Sequence, residues 1–76
     1  MLTDRQREIL DYYIEFEDEH GYTPTLVEVG AHFSVTHANI CFICKKLGRM
    51  GLMEHNPKKY RGWRPVRNDR KDEHEN

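Results

Sequence analysis

The stretch from residue 26 to residue 50, LVEVGAHFSVTHANICFICKKLGRM, constrains the fold more than any other part of the chain. Its apolar points are Val29, Phe33, Val35, Ile40, Ile43, Cys44 and Leu47. The last four of these, at 40, 43, 44 and 47, recur at the spacing of one helix face. Thr36 stands just before that run, where its hydroxyl can accept an orphaned backbone N–H of a new helix. The pattern predicts two short helices, 26–33 and 37–50, joined by a tight turn over Phe33–Thr36. Opposite the apolar points lie His37, Ala38, Asn39, Phe42, Lys45, Lys46 and Arg49. A small helix, a turn and a helix with a polar, basic outer face read as a helix-turn-helix, although any helical hairpin of a small α-protein shares the first half of that pattern.

The flanks supply what the pair of helices lacks. A first helix is expected over 4–20, capped by Thr3, with Asp4 in its first turn and Gly21 as the left-handed residue that ends it. Ile9, Tyr13 and Phe16 mark its apolar stripe, with Leu10 beside them, and the acidic run 15–19 is assigned to its solvated face. Pro24 holds Thr23 extended, and Thr25 with Glu28 three residues on forms a capping-box pattern for the second helix. After Gly51, residues 52–55 read as one strand and residues 60–66 as its return, around the turn chemistry of Asn56-Pro57-Lys58-Lys59. That hairpin is a wing with a basic tip, in which Trp63 and Tyr60 are expected to pack. The fold class is therefore mainly α: a winged helix-turn-helix of three helices plus a C-terminal two-stranded hairpin. It fills one domain over 1–66, with a disordered polar tail over 67–76.

Charge is distributed unevenly. Residues 1–30 hold eight acids against Arg5 and Arg7, whereas residues 31–67 hold eight cations against Glu54 alone, although the whole chain carries a net charge of only −1. Such polarity lets one face meet phosphates while another avoids them. No apolar run approaches the roughly 18 residues that span a bilayer, and Leu-Thr-Asp-Arg after Met1 is no signal peptide. A cytoplasmic location without membrane contact is expected. Cys41-Phe42-Ile43-Cys44 has the CxxC spacing, but it lies mid-helix and no second pair stands at finger spacing, so neither metal nor cofactor is assigned. No nucleophile elbow, paired-acid or phosphate-loop pattern appears, and the chain is not read as an enzyme.

Four segments in register carry a family resemblance: Leu2-Thr3-x-Arg5-Gln6-x-Glu8-Ile9-Leu10; Gly21-Tyr22-Thr23-Pro24-Thr25 with Glu28-Val29; Leu47 with Arg49-x-Gly51-Leu52; and Arg61-Gly62-Trp63-Arg64. Together they resemble the N-terminal DNA-binding domain of the LexA repressor family, over residues 2–66. The chain departs from that family where Ser34 replaces a usual turn glycine, Thr23 a usual proline and Glu17 a usual apolar residue. At the base-reading position the family has an asparagine, small residues and two acids, whereas here Ala38-Asn39-Ile40-Cys41-Phe42 implies a different operator. The family's self-cleaving, dimerising peptidase domain has no room before Asn76.

The function expected is that of a sequence-specific regulator of transcription, a repressor, bound to a double-stranded DNA operator. Helix 37–50, about 21 Å long at 1.5 Å per residue, would read the major groove and wing 55–64 would hold the backbone. The residues expected to touch DNA are Thr25 and Thr36 at helix termini, then His37, Ala38, Asn39, Phe42, Lys45, Lys46 and Arg49 on the helix, then Lys58, Lys59 and Arg61 on the wing. A weak or DNA-assisted homodimer would give the two half-sites of a two-fold operator. The alternative is a winged-helix protein-interaction module, a small antirepressor or adaptor, whose partner docks on the acidic first helix.

Overall fold

A computed structural model of the protein describes residues 2–67. Helix α1 runs Asp4–His20. Thr3 opens it through a reciprocal cap: the Gln6 N–H donates to the Thr3 hydroxyl (3.1 Å) and the Thr3 N–H to the Gln6 side-chain carbonyl (3.0 Å). Gly21, at φ 82°, ends α1 with its N–H on the Glu17 carbonyl. Helix α2, Leu26–Phe33, opens on the same device, here between Thr25 and Glu28. Helix α3 spans His37–Arg49, and the Thr36 hydroxyl accepts the Asn39 N–H at 3.2 Å. It stops one residue short of the expected end, because Met50 already serves as its cap.

Between α2 and α3 the chain bends by 108°. Ser34 makes the bend by taking the left-handed conformation (φ 62°, ψ 40°), and the Val35 N–H then returns to the Gly30 carbonyl at 2.9 Å. The turn lies so close on α2 that a Cβ at Gly30 would fall 2.6 Å from the Val35 carbonyl oxygen. A side chain is excluded there on steric grounds alone.

The hairpin is shorter than its sequence suggests. Strands β1 (Met53–His55) and β2 (Trp63–Pro65) pair antiparallel, with Met53 opposite Pro65 and His55 opposite Trp63. Tyr60, Arg61 and Gly62 belong to the loop rather than to β2, because the Asn56 N–H donates to the Gly62 carbonyl and closes the loop there (2.9 Å). Tyr60, expected to pack, is 83% exposed. Trp63 does pack, burying its indole and stacking against His55 at 4.4 Å.

Every element contributes to one core: Ile9 and Tyr13 from α1, Val29 from α2, Ile40, Cys44 and Leu47 from α3, Met53 and Trp63 from the wing. Phe33, Val35 and Ile43 pack at its edge, half-buried. The Cys44 thiol donates to the Tyr13 hydroxyl at 3.5 Å, and burial pushes the thiol up to about 11. The acidic run of α1 is only partly a solvated face. Glu17 and Asp18 accept from the Arg67 guanidinium at 3.0 and 2.9 Å, so Arg67, expected in a disordered tail, is tied to α1. The remainder of that tail, 68–76, lies outside the described residues. Among the described residues no single helix is long and apolar enough to cross a membrane.

Two substitutions test the turn. Gly30→Ala should destabilise the protein by about 1–3 kcal/mol through overpacking against the turn. Ser34→Gly should stabilise it by up to about 1 kcal/mol by relieving the left-handed strain. Urea unfolding of both variants gives the two signs.

Candidate nucleic-acid interface

Burial divides α3 cleanly. Ile40, Cys44 and Leu47 are fully buried, and His37, Ala38, Asn39, Phe42, Lys45, Lys46 and Arg49 are all exposed. The packed side of the helix thus fixes the rotation that turns the other side outwards. Between Glu28 and Glu54 the chain has no acidic residue, so the exposed face carries its cations with no acid in the same stretch. At its centre Phe42 is 56% exposed, with the Lys46 ammonium 4.8 Å from its ring centroid.

Part of this face is concave. A shallow depression of about 430 Å³ lies where the start of α2 meets α3, lined by Leu26, His37, Ala38, Cys41, Phe42 and Lys45. Leu26 and Cys41 are not among the residues expected here. The signal for Cys41 is present in the sequence, since 38, 41, 42 and 45 form one stripe of a helix. Leu26 arrives only through the bend between the helices.

Three residues expected to touch DNA have side-chain partners within the fold. Thr25 is only 5% exposed, and its hydroxyl accepts the Glu28 N–H. Thr36 is exposed, but its hydroxyl already caps α3. Arg61 is a strut between wing and α2: its guanidinium donates to both Glu28 carboxylate oxygens (2.8 and 3.2 Å) and to the Thr23 carbonyl (3.0 Å). It also lies 4.7 Å from the centre of the Tyr22 ring. The Thr23 hydroxyl donates back to the Arg61 carbonyl at 3.3 Å.

Lys58 and Lys59 are exposed in the wing loop, where the Lys58 N–H donates to the Asn56 side-chain oxygen at 3.0 Å. Lys59 and Arg61 line a second, open depression of about 810 Å³ between the wing and the end of α1. Glu17, Glu54 and Arg64 line it too, so its charge is mixed. The structure therefore gathers His37, Ala38, Phe42 and Lys45 at one depression and Lys59 and Arg61 at another, while Asn39, Lys46, Arg49 and Lys58 line neither.

The Arg61 guanidinium first, and the Thr25 N–H second, hold the Glu28 carboxyl below its ordinary value of 4.5.

Three helices, a sharp bend between the second and third, a two-stranded hairpin closing the core and a basic outer face on the third helix define a winged helix-turn-helix domain. The family described as LexA DNA binding domain matches residues 1–62, and the chain belongs to that family. It is 37% identical over 65 residues to the LexA repressor of Sorangium cellulosum, covering 84% of this chain and 28% of that protein. To LexA repressor 2 of Geobacter sulfurreducens it is 34% identical over 62 residues, covering 80% of this chain and 30% of the relative. The chain thus spans less than a third of the length of these relatives.

The Glu28–Arg61 strut has a pH signature. Because the folded carboxyl titrates below 4.5, its contribution to stability is present above that pH and is lost as pH falls through the lowered folded value. Glu28→Gln should flatten this acid limb and lower stability at pH 7, as read by urea midpoints measured between pH 3 and 7.

Proposed function

We propose that this chain is a sequence-specific DNA-binding module of a transcriptional repressor, with α3 in the major groove and the wing loop against the backbone. The observation that carries the reading is the outer face of α3, where Lys45, Lys46 and Arg49 are exposed along with His37, Asn39 and Phe42, with no acid in that stretch of chain. Membership of the LexA DNA-binding-domain family supports it. Lys45, Lys46, Arg49, Lys58 and Lys59 neutralise phosphates, and Asn39 pairs with a base edge, for which adenine offers a bidentate match. Thr25 and Arg61 act behind this surface, by holding α2 and the wing. One module covers a half-site, so tight binding needs two copies that pair weakly or only on DNA. The module performs no chemistry of its own.

A second reading is favoured by a series of ring contacts at the edge of α1, from half-buried Tyr12 and Phe16 to exposed His20, Tyr22 and His32. Tyr12 stacks on His32 at 4.2 Å, Phe16 lies 4.2 Å from His20, and Tyr22 lies 5.8 Å from Phe16, beside exposed Glu15 and Glu19. An acidic, aromatic strip of this kind suits a protein partner. Glu17 and Asp18 hold Arg67, which leaves Glu15 and Glu19 of the acidic run for the test, Glu19 lying 3.8 Å from the His20 imidazole.

A salt titration on a duplex selected from a random pool tests the first reading. Affinity should fall steeply from ~50 to 200 mM salt, and the log–log slope should shrink by roughly 0.9 for each phosphate-neutralising side chain removed. Lys45→Glu, Lys46→Glu and Arg49→Glu together should abolish binding. Retained operator binding in that variant, or regulation lost only on Glu15→Lys with Glu19→Lys, would favour the protein-partner reading.

A further inference from the structure

We propose that the depression between α2 and α3 is a subsite for the C5-methyl group of thymine, with Phe42 as its specificity-determining residue; this rests on the DNA-binding reading above. The floor and walls supply apolar surface where a base-reading helix more commonly offers polar atoms. Leu26 and Cys41 are half-buried, Ala38 and Phe42 are exposed, and these four line the concavity with His37 and Lys45 at its sides. The Lys46 ammonium lies 4.8 Å from the Phe42 ring centroid.

An apolar hollow with Lys45 at its side and the Lys46 ammonium beside its Phe42 wall fits a partner that is anionic around an apolar point. The edges of a major groove carry donors and acceptors at every base, and their one apolar group is the thymine methyl, flanked on both sides by phosphates. The charge pattern and the apolar centre therefore select the same occupant. Neither Phe42 nor Cys41 can donate or accept strongly towards a base, so readout here is by exclusion of water from a methyl rather than by a hydrogen bond. A cytosine edge in the same place would leave its amino group against the Phe42 ring without an acceptor.

Replacing thymine by deoxyuridine removes the methyl and leaves every hydrogen-bonding atom in place. The full chain is measured on the duplex that it selects from a random pool, then on the same duplex with uracil substituted one thymine at a time. Binding should weaken roughly fourfold at one position per half-site, the effect of one buried methyl. Phe42→Ala, at a residue exposed enough not to threaten folding, should bind the thymine and uracil duplexes equally. Lys46→Gln should weaken both while keeping a preference between them. Indifference of the wild type to every uracil substitution overturns the subsite and leaves DNA binding standing. So does an undiminished preference in Phe42→Ala, which would assign the methyl to another residue. Failure to bind any duplex overturns the subsite together with the reading it rests on.

Discussion

Glu28 does two jobs with one carboxylate, and the placement of the other elements depends on it. One oxygen accepts the Thr25 N–H and closes the cap of α2, and the pair of oxygens takes the Arg61 guanidinium from the wing loop. Arg61 in turn reaches the Thr23 carbonyl, so the connector, the first turn of α2 and the wing meet at one point. The ion pair is partly exposed, and its Coulomb energy is screened. Its value lies in geometry: the planar fork fixes direction as well as distance. Without it, the wing would be held to the helices by buried Met53, Trp63 and Pro65 and by the tie from Arg67 to α1.

The turn after α2 sets the second constraint. Gly30 lets Val35 come back onto the helix, and Ser34 supplies the left-handed residue that redirects the chain. Together they deliver Leu26 next to Ala38, Cys41 and Phe42, residues that lie on two helices and share one hollow. The outer surface of α3 is thus the product of a bend that the inner residues enforce. A small domain has few such devices, and each carries a large share of its stability.

What the sequence made legible was local. The bounds of α1 and α2, the caps at Thr3, Thr25 and Thr36, and the exposed face of α3 follow from residues no more than four apart. The reciprocal partner of Thr3, Gln6, is of the same local kind, three residues away. What stayed hidden was non-local. Arg61 looks like any basic wing residue until Glu28, 33 positions earlier, is seen to face it. Glu17 breaks an apolar pattern until Arg67, 50 positions later, is seen to neutralise it. The limits of β2 depend on where backbone bonds close the loop, which no side-chain alternation records. In the site, the α3 residues were readable as a face, whereas the hollow needed Leu26 from another helix.

The two cysteines one helical turn apart have opposite circumstances. Cys41 is half-buried at the rim of the hollow, while Cys44 is sealed in the core against the Tyr13 phenol. With its thiol pushed up to about 11 by burial, Cys44 stays protonated at neutral pH. A reagent in solution can therefore find Cys41 on the intact domain, but reaches Cys44 only when the helices part. Capture of that inner sulfur therefore reports openings that expose the core, local or global.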